Sequence, residues 1–469
     1  MIRALIVLAL AATPVFAAPP EWPQFRGQDA TGVADDQKPP VQIGPDKNVL
    51  WKVAVPSGFS SPVVTGDRLF LTAFDEGKLF TIAYSRENGK ELWRKQAKAD
   101  KIEAYHKTEG SPAASTVATD GERVVAYFGS CGLVCYDVSG NELWTHELPC
   151  AVTNNDFGTG SSPVIADGKV LLLRDTLKDS KLIALDAKTG KPAWEAKRGA
   201  GYTSWGSPCV WDAPGGKQVV VPGAKNLKAY DLATGAEKWT VSGLCAVPCT
   251  TPVVADGKLI FAGWSPGGPD FKMPTFDEIL EQAGEKEKGF LTKEGSEKTF
   301  MKGLFESNDT NKDGKIIRDE WDAQVNFMKS GKNVAVSIKP GGTGDVTRTH
   351  VEWRVEKGLP YVPSPLVYRG VMYTANMQGR VSAFDAKSGA EIYTQEQVGL
   401  TGVYASPVAA NGHVYLFGLD KSVVVLEAGE FPKKVWSAKL DDRIAATPAV
   451  AGNTMYVRTG KTLFAFGAK

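Results

Sequence analysis

A-L-D-A-K-T-G-K-P-A-W, Ala184 to Trp194, and A-Y-D-L-A-T-G-A-E-K-W, Ala229 to Trp239, are two copies of one eleven-residue pattern. Weaker copies end at Trp93, Trp144, Tyr393 and Trp436. Each copy reads as a strand ending at Asp, a Thr/Ser/Asn-Gly turn, and a strand carrying an aromatic residue. Upstream of each copy, a Ser/Thr-Pro opens a short Val/Ala-rich strand: Pro62, Pro112, Pro163, Pro208, Pro252, Pro365, Pro407 and Pro448. Gly-containing turns such as Asp167-Gly168, Asp256-Gly257 and Asn411-Gly412 then lead into a second strand. Four short strands in each repeat of about 43 residues is the signature of a propeller blade.

The copy starting at Pro448 ends without its Trp strand, whereas N-V-L-W-K-V, Asn48 to Val53, is a Trp strand with no blade before it. Pairing the two closes a ring and removes two exposed sheet edges. The expected fold is all-β: an eight-bladed β-propeller closed by N- and C-terminal strands. The recurring indoles are read as wedges between neighbouring sheets, which bury large apolar area there.

The eleven-residue pattern resembles the tryptophan-docking repeat of the pyrroloquinoline-quinone (PQQ) propeller superfamily. The chain apart from one insertion is similar to the BamB-like exported propellers, whose openings W-P-Q-F-R-G (Trp22 to Gly27) and W-K-V-A-V-P (Trp51 to Pro56) also match. That family contains both enzymes and non-catalytic scaffolds, so the resemblance implies fold more sharply than activity.

Composition bounds the function. Of 469 residues, 54 are Lys or Arg and 53 Asp or Glu, a net charge of +1, which argues against a nucleic-acid-binding or polybasic membrane-surface protein. Four scattered His residues do not suggest a His-rich metal centre. Residues 1–17 read as a signal peptide: Arg3, an apolar run from Ala4 to Ala12, and small residues at Val15 and Ala17 before the cut. No Cys follows to accept a lipid, so an exported protein, periplasmic or extracellular, is expected, with no transmembrane segment in the mature chain and acting as a monomer. In an oxidising compartment Cys131/Cys135 and Cys245/Cys249 could each form a local disulfide, but sequence does not decide connectivity.

The chain divides into an N-terminal extension (18–47), propeller (48–264), an insertion (265–332) and the remaining propeller (333–469). The insertion shows as a spacing of 113 residues between Pro252 and Pro365, in blade 5, where about 45 is expected. It replaces the turn between the second and third strands and is Glu/Lys-rich, with helical stripes at Phe300, Leu304 and Phe305 and at Trp321, Val325 and Met328. Between the stripes, D-T-N-K-D-G-K-I-I-R-D-E has the EF-hand spacing. Ca2+ would be held by Asp309, Asn311, Asp313, the Lys315 backbone carbonyl and Glu320, with Gly314 at the sharp turn and Ile316 anchoring the loop. The segment Gly284 to Gly295 is a degenerate partner at best, lacking acidic ligands at the needed spacing.

Strand order places the loops entering each blade on one face, opposite the short Gly turns. These loops carry His106, Asn154, Asn155, Asp156, Tyr202, Trp205, Tyr361, Tyr404 and Arg443, expected to converge at the channel mouth. The favoured function is a non-catalytic exported scaffold binding a protein, peptide or glycan there, under a helical cap. The alternative, implied by the resemblance, is a PQQ- and calcium-dependent quinoprotein dehydrogenase, with Trp205 as stacking floor, Asp156 as base and Arg443 beside the quinone. The chain has no Cys-Cys pair of the kind many alcohol-oxidising members carry, and no full set of catalytic positions can be matched.

Overall fold

The computed structural model describes residues 21–199, 201–302 and 304–468; the expected signal peptide lies outside them. Eight antiparallel sheets form the blades, seven of four strands and one extended by a fifth. The eighth sheet closes the ring as the sequence suggests. Strand Val49–Ala54 pairs antiparallel with Thr462–Phe466, setting Trp51 opposite Ala465 and Val53 opposite Leu463.

The eleven-residue pattern has a direct physical meaning. Asp186 Oδ1 accepts hydrogen bonds from the Lys188 and Thr189 amides and the Thr189 hydroxyl, which fixes the turn. Gly190 follows at φ +68, and a Cβ there would sit 2.5 Å from the Trp144 indole of the preceding blade. The same indole donates its N–H to the Ala187 carbonyl at 2.9 Å. Trp51, Trp93, Trp194 and Trp353 repeat this arrangement, donating to Arg86, Val138, Leu232 and Ala386 and covering Gly89, Gly140, Gly235 and Gly389. Each of these five Trp residues thus docks on the Gly turn after the third strand of the next blade, a turn opened by Asp except in blade 1, where Ser85 stands. Trp239 departs because blade 5 lacks that turn. It donates to Gln218 Oε1, and strand Gly344–Asp345 lies parallel to it as the fifth strand of blade 4.

The Ser/Thr positions that open the blades form a second repeat. The backbone N–H of Ser61 donates to the Thr116 hydroxyl, Thr116 to Ser162, Ser162 to Ser207, and Ser207 to Thr251. Thr251 continues to Ser364, Ser364 to Ser406, Ser406 to Thr447, and Thr447 back to Ser61. Eight buried hydroxyls therefore make a closed circuit around the channel. This corrects one opening: blade 2 begins at Thr116-Val117, with its first strand at Ala118–Thr119, and Pro112 belongs to the preceding loop. Thr116 supplies the hydroxyl without a following proline, so the dipeptide signal pointed to the wrong Ser.

The N-terminal extension crosses the underside of the ring. Trp22 bridges Val64 of blade 1, Pro23 accepts from Thr119 of blade 2, Val33 bridges Ala409 of blade 7, and Ile43 accepts the Trp436 indole N–H. The buried Arg26 donates to the Thr31 and Pro365 carbonyls. All six cysteines are free thiols, so neither local pair is bridged.

The insertion leaves blade 5 after strand Lys258–Gly263 and returns at Val334–Ile338. The flanking Ser265 and Asn333 bond each other through both backbone and side chain. Among the described residues four α-helices lie between: α1 (Phe276–Ala283), α2 (Lys293–Ser296), α3 (Phe305–Asn308) and α4 (Arg318–Lys329). Thr275 and Glu278 cap α1 reciprocally. The stripe at Phe300, Leu304 and Phe305 does not lie on one continuous helix. The Ser296 and Thr299 hydroxyls bond back to the Lys293 and Ser296 carbonyls, offering the backbone a turn instead. Phe276, Ile279, Leu291, Phe305, Ile316 and Trp321 form a core separate from those of the blades.

Candidate functional site

The blade-entry loops and the hydroxyl circuit enclose a chamber of about 170 Å³ on the channel axis. Its walls are Phe59, Phe157, Trp205, Tyr361 and Tyr404. Six circuit members, Ser61, Thr116, Ser162, Ser207, Thr251 and Thr447, also line it, and Phe25 reaches it from the N-terminal extension. Glu109 is the charged residue of the lining and accepts from the Tyr404 hydroxyl at 2.7 Å.

Trp205, Tyr361 and Tyr404 thus come together as expected of one mouth. The Trp205 backbone N–H donates to Pro248 and its indole to Gly158, holding the ring edge-on to Phe157. Tyr361 meets Trp264 edge-on. His106 and Arg443 stand at the rim: His106 stacks on Phe157, while the Arg443 guanidinium lies over Phe59 and donates to the Thr108 carbonyl. Asn154 exchanges hydrogen bonds with Thr203, and Asn155 and Asp156 are exposed on the same short turn, outside the chamber lining. Tyr202 is covered by the insertion, its ring stacked on Phe327 at 3.4 Å between centroids.

Burial first raises the Tyr361 and Tyr404 hydroxyls and pushes the Cys249 thiol up to about 12; Glu109 adds to the rise at Tyr404 and Cys249, and Cys249 and then Glu109 at Tyr361, so all three stay protonated. Behind the wall, Glu103 clasps the Thr159 amide and hydroxyl, and its own N–H is held by Ser130. Burial pushes this carboxyl up to about 7. Glu109, Glu103 and Phe25 were not singled out in the sequence. Glu109 sits in a blade-entry loop, Y-H-K-T-E-G, beside His106, and that position was the available signal.

The insertion stands on this same face, over blades 3 and 4. Besides the Tyr202–Phe327 stack, Lys225 of blade 4 lies over the Phe327 ring and donates to Ser330. A cleft separates the loop at Asp309–Gly314 from Val152, Leu177 and Lys178 of blade 3. Within the loop, Asp309 Oδ2 accepts from the Gly314 amide, Asn311 Oδ1 from Asp313, and Asp313 Oδ1 from Lys315. Gly314 has φ +83. Glu320 accepts from the amides of Thr310, Asn311 and Ile317. Burial works against its ionisation, but these bonds and the Thr310 hydroxyl outweigh it and hold its carboxyl below the usual range. Asp309 is 5% exposed, and its Oδ1 has no hydrogen-bond partner among the described residues. Among the described residues no cluster of three His, Cys, Asp or Glu is already arranged as a metal cage.

The segment Gly284 to Gly295 mirrors this loop. Leu291 pairs with Ile316 and Thr292 with Lys315 in a two-stranded ribbon. Gly289, at the place matching Gly314, has φ +71. Where a metal would be needed, Glu285 instead accepts from the Thr292 amide and hydroxyl and pairs with the Lys288 ammonium at 2.8 Å. The second loop is closed by the protein's own cation.

A family model described as outer membrane protein assembly factor BamB matches residues 25–158, 80–244 and 377–468, well over half of the chain. A curated protein of that description from Burkholderia pseudomallei is 27% identical over 206 residues, 42% of this chain and 48% of the relative. The chain thus spans about half the length of the curated relative it matches. Among solved structures, BamB from Moraxella catarrhalis superposes with a TM-score of 0.54 at 15% identity, over 89% of this chain and 98% of that one. A europium-containing methanol dehydrogenase gives 0.60 at 10% identity over 96% and 98%, which at such identity speaks for the fold alone. With its docking tryptophans, closed eight-blade ring and matched repeats, the chain belongs to the BamB-like family of PQQ-type propellers.

Proposed function

We propose that this protein is an exported, non-catalytic scaffold that holds a polypeptide partner at the mouth face, with a calcium-loaded loop in the insertion beside it. The single observation carrying this reading is the chamber's chemistry: five aromatic walls, a floor of hydroxyls and one carboxylate. Such a lining suits an inserted side chain. It does not suit PQQ, a quinone bearing three carboxylates, because among the described residues no Lys or Arg lines the chamber to meet them and Glu109 would repel them. Asp156, the residue the dehydrogenase reading would use as base, is exposed on a turn outside the chamber. A protein as partner accords with the description of the family, an outer membrane assembly factor. Among the described residues no helix is long and apolar enough to cross a membrane.

The test places a photo-crosslinking residue at Val362, beside the chamber, and a second at Asp212 on the underside. Saturable capture of one polypeptide from Val362 and none from Asp212 is expected. Capture from Asp212 alone, or tight PQQ binding with alcohol turnover, overturns the reading.

The calcium proposal rests on the unpartnered, buried Asp309 Oδ1 and on the oxygen-rich donor set Asp309, Asn311, Asp313, the Lys315 carbonyl and Glu320. Bound calcium would meet the carboxylates of Asp309, Asp313 and Glu320 at the centre of the loop, and Glu320 would exchange its amide partners for the metal. Because the mirror loop already holds Lys288, one site per chain is expected, of weak affinity near ~10⁻⁴ to 10⁻³ M. Calorimetry should show one site, lost in both Asp309→Ala and Glu320→Gln. Heat that survives Glu320→Gln, or none at millimolar calcium, overturns it.

A further inference from the structure

The chamber has a feature that a general partner-binding surface does not require. Its volume, about 170 Å³, is well below that of a drug-sized pocket and fits one side-chain-sized group. Four uncharged aromatic walls and the Trp205 indole surround that space, and aromatic faces attract organic cations through their quadrupoles. The molecule already uses this attraction next door, where the Arg443 guanidinium lies 4.8 Å from the Phe59 centroid.

The charge balance points the same way. Glu109 takes one hydrogen bond, from Tyr404, and among the described residues no Lys, Arg or His forms an ion pair with it. The two basic side chains at the rim are engaged elsewhere: Arg443 with Phe59 and the Thr108 carbonyl, and His106 with Phe157, with the Thr108 hydroxyl, and with the Glu109 amide, which donates to its Nδ1. The chamber is therefore a half-lined cage with one unspent negative charge at its entrance. We propose that it binds an organic cation, an alkylammonium or guanidinium group, seated among Phe157, Trp205, Tyr361 and Tyr404 with its charge toward Glu109.

This inference rests on the mouth-face reading and deepens it. Two sources share the chemistry: a Lys or Arg side chain of the polypeptide partner, and a free quaternary ammonium compound. The partner's side chain is favoured, because the mouth-face reading already seats a polypeptide there and Glu109 is exposed to meet it.

The test uses the full chain and three probes in calorimetry and ligand-observed NMR: Nα-acetyl-lysine methylamide, choline, and 3,3-dimethylbutan-1-ol, the neutral isostere of choline. Binding of at least one cation, with the neutral isostere tenfold or more weaker, is expected. Glu109→Gln, at an exposed position, should weaken the cation five- to tenfold and leave the isostere unchanged. Trp205→Leu should abolish both. Lys217→Ala, on the underside, should change neither. Tighter binding of the lysine probe supports a partner side chain as the source, and tighter binding of choline supports a free quaternary ammonium. Equal binding of the neutral isostere, cation binding indifferent to Glu109→Gln, or no binding at millimolar probe overturns the proposal. Crosslinking from Val362 that persists when cation binding fails would leave the scaffold reading standing and remove only the cation.

Discussion

The ring and the insertion are built on opposite principles. In the ring, every blade leans on the next: a backbone N–H reaches the following hydroxyl throughout, and at five of the eight joints a Trp docks on the following Gly turn. Core clusters run across neighbouring sheets. The insertion has a core of its own and touches the ring at few places, chiefly Tyr202 with Phe327, Lys225 with Ser330, and the Lys332 amide with Leu244. A repeated contact tolerates little local change, because each turn serves two blades. A self-contained insert can vary, or respond to a ligand, without disturbing the ring.

The largest effect should come from breaking a shared turn. Gly190→Val puts a branched side chain at φ +68 against Trp144 and should cost roughly 3 kcal/mol or more in urea unfolding. Gly168→Ala, at φ +71 facing open space, should cost about 1 kcal/mol. Equal losses at the two positions would mean that Trp docking contributes nothing beyond backbone strain.

Acidity separates the two regions next. Glu103, in the ring, has its carboxyl raised by burial to about 7 from 4.5, so the fold favours its protonated form. Its contribution is complete below about 4.5 and is lost as pH rises through about 7. Glu320, in the insertion, is shifted the other way, so its contribution is present above its ordinary value of 4.5 and lost as pH falls through its lowered one. Glu103→Gln should flatten the decline of ring stability between pH 4.5 and 7. An unchanged slope would show that the carboxyl ionises freely in the fold.

The smallest effect on the ring should follow from removing residues 266–332 and bridging with Gly-Ser. Ser265 and Asn333 already bond each other and would close the shortened hairpin. Loss of the Phe327 contacts should cost the propeller about 1 kcal/mol. Failure of that variant to unfold cooperatively would make the insertion part of the ring.

The ring was readable because its signals recur: Gly and Trp at fixed offsets, usually with Asp, have one physical job in most blades. The error at Pro112 arose where a Ser-Pro in a loop imitated an opening that Thr116 provides through its hydroxyl alone. At the mouth, position in a blade-entry loop drew attention to Trp205, Tyr361 and Tyr404, which line the chamber. It could not say that Tyr202 lies under the insertion or that Asn155 and Asp156 face outward, because those depend on which way a non-repeating loop turns. Phe25 reaches the axis from a segment with no period at all. In the insertion, helical spacing at Phe300 to Phe305 was outweighed by hydroxyls that bond the backbone locally.

The hydroxyl circuit has no first or last member. Linear repeat arrays fray from their ends and need capping units, but here the link from Thr447 to Ser61 makes every blade an interior one. That link spans nearly the whole chain, as does the pairing of strand Val49–Ala54 with Thr462–Phe466 in the same closing blade. Closure is then a late, long-range event in folding, and once made it leaves no edge from which unravelling can start.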